Sequence, residues 1–165
     1  MRHNCRVIFS PRPAFSPVEV KHDGYVISTD PARLDLGAIH SFLTECYWAK
    51  GISKELVQRS IEHALCFGVY DGSGAQVGFA RVMSDFATVA YLGDVYVLQP
   101  HRGRGLSKAL MQCITQHPAL QGLRRWILLT RDAHGLYEKF GFASLAKPDR
   151  YMELHDPSVY AKEKS

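Results

Sequence analysis

The feature that most constrains the fold is a change of hydrophobic periodicity in the second half of the chain. Residues 87–97 (ATVAYLGDVYV) are rich in β-branched and aromatic side chains, which predicts a long strand. After a turn of glycine and arginine, apolar residues recur at helical spacing up to Pro118: Leu106, Ala109, Leu110, Cys113 and Ile114. An apolar run at 126–130 then predicts a strand buried on both faces. This order predicts a β-α-β crossover late in the chain.

Shorter elements are expected on either side of this crossover. They are the strands Tyr25–Ser28, Cys66–Tyr70 and Gln76–Met83, a helical stretch opened by Asp30-Pro31 with Leu36, Ile39, Leu43 and Cys46 on one face, a helix capped by Ser53, a short helix over His134–Phe140, and closing strands at Phe142–Leu145 and Tyr151–Leu154. The turn 71–74 (DGSG) predicts a hairpin. Antiparallel strands before a crossover predict an α+β domain: a central, mostly antiparallel twisted sheet flanked by helices.

The 165 residues fit one domain. We expect it over residues 23–155, with an irregular extension at 1–22 that prolines interrupt and a tail at 156–165. Neither a secretory signal nor a membrane-spanning run is found in the sequence, and the four scattered cysteines form no C-x-x-C pair. These features favour a cytoplasmic protein without a metal site. The net charge of +4 is too small to indicate a nucleic-acid partner by itself.

The turn between the long strand and the helix has the composition of an anion-binding loop. A helix N-terminus presents unpaired N–H groups and a partial positive charge. Glycines let the backbone approach a bulky anion, and Arg102 and Arg104 add positive charge. A P-loop would need G-x-x-x-x-G-K-[ST], which is absent, and a dinucleotide fingerprint would need a glycine where Lys108 stands. The segment therefore predicts a pyrophosphate cradle of another class.

Two segments resemble the GNAT superfamily of acetyl-CoA-dependent N-acetyltransferases. Arg102-x-x-Gly105-x-Ser107 is similar to the R/Q-x-x-G-x-G/A signature of that family, with serine where glycine or alanine is usual. Residues 133–142 (AHGLYEKFGF) resemble its A-x-x-L-Y-E-K-x-G-F segment. The resemblance covers roughly residues 25–154. It implies a GNAT-like acyl-CoA N-acyltransferase fold, acetyl-CoA as cofactor, and direct transfer of the acetyl group to a primary amine.

The resemblance also implies a set of cofactor-binding residues. They are Val95, Tyr96, Val97, Arg102, Gly103, Arg104, Gly105, Leu106, Ser107, Ala133 and Tyr137. Within this set, the backbones of Val95 and Val97 would hold the pantetheine arm, while their side chains belong to the core. Thr130 stands where many relatives have asparagine, so a side-chain contact there is not carried over.

The same resemblance assigns catalytic and acceptor-binding roles. Tyr137 would protonate the departing thiolate, since a phenol (pKa about 10) can donate to a group whose own pKa is about 8.5. Asp94 would be the general base, with Asp132 and His134 as alternatives; His134 could instead cap the short helix. Tyr47 and Trp48 would line the acceptor pocket, or else pack in the core.

Two other functions are compatible with the same residues. The chain could bind acyl-CoA without catalysis, as a sensor or partner-binding module, although an intact Tyr137 favours the enzyme. It could also bind nucleic acid through the Arg-Gly turn and Arg124-Arg125, but this turn lies between a strand and a helix rather than in low-complexity sequence. We expect a small-molecule amine as partner, with no nucleic acid and no membrane. Homodimers are common in the family.

Overall fold

The computed structural model describes residues 15–162 and contains one six-stranded sheet. Its strands lie side by side in chain order: β1 (Glu19–His22), β2 (Tyr25–Ser28), β3 (Leu65–Tyr70), β4 (Gln76–Ser84), β5 (Val89–Val97) and β6 (Arg125–Leu128). Neighbouring strands are antiparallel except for β5 and β6, which are parallel. The mostly antiparallel α+β sheet and its late parallel crossover are therefore confirmed.

Helices cover both faces of the sheet. They are α1 (Leu36–Leu43), α2 (Lys54–Glu62), α3 (Leu106–Thr115), α4 (His134–Tyr137) and α5 (Val159–Lys162). Successive side chains of a strand point to opposite faces of the sheet. Phe67 and Leu92 therefore pack in one core with α3, and Phe79 and Tyr96 pack in a second core with α1 and α2. No helix within residues 15–162 combines the length and apolarity that crossing a membrane requires.

The first two helices begin at side-chain caps. The stretch expected to open at Asp30-Pro31 is a 3-10 turn over Pro31–Arg33, and α1 begins anew where the Asp35 carboxylate accepts from the Ala38 N–H at 2.9 Å. Cys46 lies beyond the end of α1. The predicted cap of α2 is confirmed, because Ser53 Oγ accepts from the Leu56 N–H at 3.3 Å.

The expectation that residues 1–22 are irregular is wrong for residues 19–22, and residues 1–14 lie outside the described part. β1 pairs with β2 through a two-residue turn at Asp23-Gly24. Both turn residues have positive φ, 45° and 81°, as a type I′ hairpin turn requires. The Asp-Gly pair just before the predicted strand at Tyr25 is the signal that would have revealed this hairpin.

The two closing strands expected after α4 are also wrong. Residues 143–156 pair with no strand of the sheet and contain a 3-10 turn at Pro148–Arg150. β6 is therefore an edge strand whose residues are half-buried or exposed, so the apolar run at 126–130 is not buried on both faces. Pro148 lies between the two predicted strands, Phe142–Leu145 and Tyr151–Leu154. It has no N–H group to donate to a neighbouring strand, and it interrupts the chain where a turn between the two strands would have formed.

His117 gives the fold a testable pH dependence. It is 3% exposed, with its ring edge-on to Phe15 and Phe67, and its Nδ1 accepts from the Ala119 N–H. Nε2 has no hydrogen-bond partner among the described residues. Burial lowers the pKa of His117 below its usual 6.5. Below that pH the unfolded chain takes up a proton that the folded chain resists, so the free energy of unfolding falls as the pH falls.

We expect the wild type to lose stability between pH 7 and pH 5 more steeply than the variant His117→Asn, whose Oδ1 can replace the cap. The difference in slope is bounded by about 1.4 kcal/mol per pH unit. Urea titrations at four pH values measure it. Equal slopes for both proteins would show that His117 does not contribute.

Candidate active site

A β-bulge interrupts β5, the strand next to the edge strand β6. Arg81 pairs with Gly93 and Phe79 pairs with Tyr96, so Asp94 and Val95 together lie opposite the single residue Ala80. Asp94 takes a left-handed conformation with φ of 54°. A bulge of this kind redirects side chains and bends the strand, and bulges are frequent beside active sites.

β5 and β6 stop pairing just before this bulge. Their parallel pairing ends at Leu92 and Leu128, although β5 continues to Val97. The Leu98 N–H donates to the Val77 carbonyl at 2.8 Å, and bonding directions alternate along a strand. Tyr96 therefore directs its backbone groups toward β4, whereas those of Val95 and Val97 point into the opening between β5 and β6. The Tyr96 ring stacks on Phe42 at 3.7 Å, in the core on the α1 side.

The Arg-Gly turn joins the end of β5 to an uncapped helix. Gly103 and Gly105 have φ of 77° and 75°, and Gly105 is the N-cap of α3 without a side-chain capping bond. The first intrahelical bond runs from the Ala109 N–H to the Gly105 carbonyl. The N–H groups of the first helical turn, which includes Leu106 and Ser107, therefore have no intrahelical acceptor, and they lie where the sequence predicts an anion site.

The two arginines of the turn are placed differently. Arg102 Nε donates to the Val97 carbonyl at 2.9 Å, which ties the turn to the end of β5. The Arg104 side chain is exposed, and its carbonyl accepts from His22 Nε2 at 3.2 Å. Leu106 is 2% exposed, so it can offer only its backbone N–H. Arg102 therefore both shapes the turn and adds charge to it, while Arg104 adds charge alone.

Residues of the first hairpin support this turn, and the sequence analysis missed them. His22 on β1 bonds the Arg104 carbonyl, and Tyr25 on β2 places its hydroxyl 3.0 Å from His101 Nδ1. The Tyr25 and His101 rings also meet edge to face. Recognising the Asp-Gly hairpin would have brought β1 into the sheet, but the contacts to the turn have no signal in the sequence.

Tyr137 lies on α4, 8% exposed and packed edge-on against Phe142. Burial is the main reason that the pKa of its phenol is raised above 10, and nearby Tyr47 and Asp132 add to the effect. The N–H of Ala133 donates to Thr130 Oγ1 at 3.0 Å, while α4 has no side-chain cap of its own. The alternative in which His134 caps this helix is therefore wrong, and His134 lies exposed at its first position.

Tyr47 and Trp48 bridge the opening between β5 and the segment after β6. Trp48 Nε1 donates to Asp94 Oδ1 at 3.1 Å, and the Tyr47 ring meets Trp48 edge-on. The Arg131 guanidinium lies 4.0 Å from the centre of the Tyr47 ring. The loop after α1 thus reaches from the bulge in β5 to the segment after β6. The two aromatic side chains are 53% and 42% exposed, which contradicts the alternative that they pack in the core.

Asp94 is bonded on both carboxylate oxygens. Oδ1 accepts from Trp48, and Oδ2 accepts from Arg81 Nε at 2.7 Å. The Asp94 and Arg81 side chains are 11% and 19% exposed, so this ion pair is largely shielded from solvent. Asp94 therefore fixes Trp48 and Arg81 in place, and each oxygen keeps one further lone pair for a proton or a water molecule.

Comparison with known proteins decides the family. The sequence model described as the acetyltransferase (GNAT) family matches residues 36–142. The chain belongs to the GNAT family of acetyltransferases. A Gibberella zeae protein that carries the name acetyltransferase is 34% identical over 70% of this chain and 76% of its own length.

Solved structures agree with this assignment. A GNAT-family protein from Xanthomonas campestris pv. campestris is 53% identical, with a TM-score of 0.82 over 86% of this chain and 99% of that one. A Clostridium acetobutylicum acetyltransferase solved with acetyl-CoA shares the fold, at 15% identity and a TM-score of 0.53 over 79% of this chain and 94% of that one. The GNAT fold that the sequence resemblance implied is confirmed.

Within this GNAT domain the structure gathers the predicted residues around one opening. Asp94, Val95 and Val97 line its β5 side, and the Arg-Gly turn follows the end of β5. Tyr137 belongs to the same core cluster as Val95 and Val97. Tyr47 and Trp48 reach across it, from Asp94 on β5 to Arg131 after β6. Asp132 is exposed, and its negative charge contributes to the raised pKa of Tyr137.

Proposed function

We propose that this GNAT domain transfers the acetyl group of acetyl-CoA directly to a primary amine of a small molecule. The observation that carries the proposal is the uncapped N-terminus of α3, with Gly103 and Gly105 at positive φ, directly after the strand that opens away from β6. The Clostridium acetobutylicum relative solved with acetyl-CoA supports the choice of cofactor.

The residues present fit this cofactor. The free N–H groups of the first turn of α3 and the exposed Arg104 suit a pyrophosphate. The backbones of Val95 and Val97, directed into the opening, suit the amide groups of the pantetheine arm. When bound, the cofactor supplies an acetyl group activated as a thioester.

In this reaction Asp94 acts on the acceptor amine and Tyr137 acts on the departing thiolate. An aliphatic amine has a pKa of about 10.4 and arrives protonated at neutral pH. Asp94, at the bulge beside the opening, attracts the ammonium group and accepts its proton, directly or through water. Tyr137 donates its phenolic proton to the departing sulfur, and its raised pKa keeps this proton in place at neutral pH.

The direct test is an acetylation screen. The full chain is incubated with acetyl-CoA and a panel of primary amines, and acetylated products are identified by mass spectrometry. We expect product with at least one amine and stoichiometric release of CoA. Tight acetyl-CoA binding without product from a broad panel would instead identify a binding module without catalysis.

Asp94 offers a second test. We expect Asp94→Asn to lower kcat by roughly a hundredfold, the usual range of a lost general base. Trp48→Phe is the control for the Trp48 contact, because it removes the indole hydrogen bond to Oδ1 and leaves the carboxylate and Arg81 in place. We expect kcat of this control to stay within about fivefold of wild type, a much smaller decrease than that expected for the loss of a general base. Equal losses in both variants would show that Asp94 acts only by holding Trp48.

A further inference from the structure

A second cleft lies on the face of the sheet that α1 and α2 cover, and one of its lining residues, Arg81, pairs with Asp94. Its volume is about 500 Å³. Its polar lining consists of Arg59, Ser60 and His63 on α2 and of Arg81 on β4. Its apolar lining consists of Ile52, Leu56 and Tyr160.

The polar lining of this cleft is positively charged. The Arg59 side chain makes no hydrogen bond or ion pair with the described residues and is exposed. Arg81 uses Nε on Asp94, so its terminal NH2 groups are left to face a ligand. His63 donates Nδ1–H to the Arg59 carbonyl at 2.8 Å, which leaves Nε2 for the cleft. Two guanidinium groups in one concave site suit a carboxylate, which arginine binds with two parallel hydrogen bonds.

Arg81 links this cleft to the transfer site. Its Nε lies 2.7 Å from Asp94, and Asp94 immediately precedes Val95 at the opening of the sheet. An anion held by Arg59 and Arg81 would therefore place the rest of the same molecule beside Asp94 and Trp48. The apolar wall formed by Ile52 and Leu56 would contact an aliphatic part of that molecule.

We propose that the cleft of Arg59 and Arg81 binds a carboxylate of the acceptor, so that the acceptor is an amino acid or a similar amino carboxylate. This inference rests on the proposed function for the reaction at the amine, but the binding of the carboxylate can be measured separately. Arg59 is then a specificity-determining residue that does not touch the reacting atoms.

The first experiment measures binding without catalysis. The full chain, saturated with CoA, is titrated with N-acetylated amino acids and with the corresponding amides, which differ only in lacking the carboxylate. Arginine side-chain NMR signals report the site. We expect the acids to shift the Arg59 and Arg81 signals and the amides to leave them unchanged. Equal binding of acids and amides would overturn the proposal.

The second experiment uses matched variants of α2. Arg59→Gln removes the charge in the cleft, and Lys54→Gln removes a charge from an exposed position of the same helix outside the cleft. We expect Arg59→Gln to weaken binding of the acids by about tenfold or more, since a hydrogen bond to a charged group contributes about 1.5 kcal/mol or more. Lys54→Gln should leave it within about twofold of wild type, which corresponds to less than 0.5 kcal/mol. An unchanged affinity in Arg59→Gln would overturn the proposal.

Kinetics separates this inference from the proposed function. Amino acids and their amides are compared as acceptors, and we expect Arg59→Gln to raise KM for the acids with little change in kcat and to leave the amides unaffected. Turnover of amines with no effect of Arg59→Gln would leave the acetyltransferase proposal intact and refute the carboxylate site. Acid-specific binding at Arg59 without any turnover would support the carboxylate site and refute the acetyltransferase proposal.

Discussion

Tyr137→Phe is expected to lower kcat by about a hundredfold or more while acetyl-CoA affinity stays within about twofold of wild type. The phenylalanine ring keeps the packing against Phe142 and removes only the hydroxyl. Because burial raises the pKa of Tyr137, the wild-type enzyme holds the proton through neutral pH, and the loss on substitution should be nearly constant from pH 6 to pH 9. Steady-state kinetics with the best amine of the screen measures both quantities.

Tyr70→Phe is the control for this variant. Tyr70 is equally buried, its hydroxyl has no partner among the described residues, and it lies on β3 away from the opening. We expect its kcat to be unchanged. A Tyr137→Phe enzyme with wild-type kcat would show that the thiolate leaves without this acid.

Gly105→Ala is expected to weaken acetyl-CoA binding by about tenfold or more, which corresponds to about 1.4 kcal/mol or more. Gly105 has φ of 75°, and an added Cβ would lie 3.3 Å from His22 Nε2, on the turn proposed to hold the pyrophosphate. The methyl group strains the turn and displaces either His22 or the first N–H groups of α3. Calorimetric titration with acetyl-CoA measures the loss of affinity.

Gly122→Ala separates strain from binding. Gly122 has φ of 72° and open space around its Cβ position, but it lies in the loop before β6. Both variants should lose about 1 kcal/mol of stability, since each places an L-residue in the left-handed region. Only Gly105→Ala should lose affinity. Equal affinity in the two variants would remove the turn at Gly105 from the binding site.

The part of the fold that follows from local periodicity was predictable. The spacing of Leu106, Leu110 and Ile114 fixes the buried face of α3, and the run at 87–97 fixes the long strand beside it. Those two elements place the Arg-Gly turn between them, so the position of this turn was predictable from the sequence. The fold of the whole domain was inferred from the resemblance of two segments to the GNAT superfamily.

The wrong predictions concern segments whose structure depends on pairing with residues far away in the sequence. Phe142–Leu145 and Tyr151–Leu154 have strand-like composition, but whether a strand forms is decided by whether a neighbour pairs with it. The bond from Arg102 to the Val97 carbonyl and the bond from Asp94 to Trp48 join residues through the tertiary fold. Their residue types predicted charge and polarity at the site, and only the structure shows that Arg102 and Asp94 also hold neighbouring elements in place.

The most direct test of the central claim is a thermal melt of the full chain with and without acetyl-CoA. At a concentration of 100 times its Kd, a ligand that binds only the folded state adds about 2.7 kcal/mol, which for a domain of this size raises Tm by roughly 5–10 °C. We expect such a rise. The absence of any rise in correctly folded protein at millimolar acetyl-CoA would contradict the assignment of the Arg-Gly turn as a cofactor site.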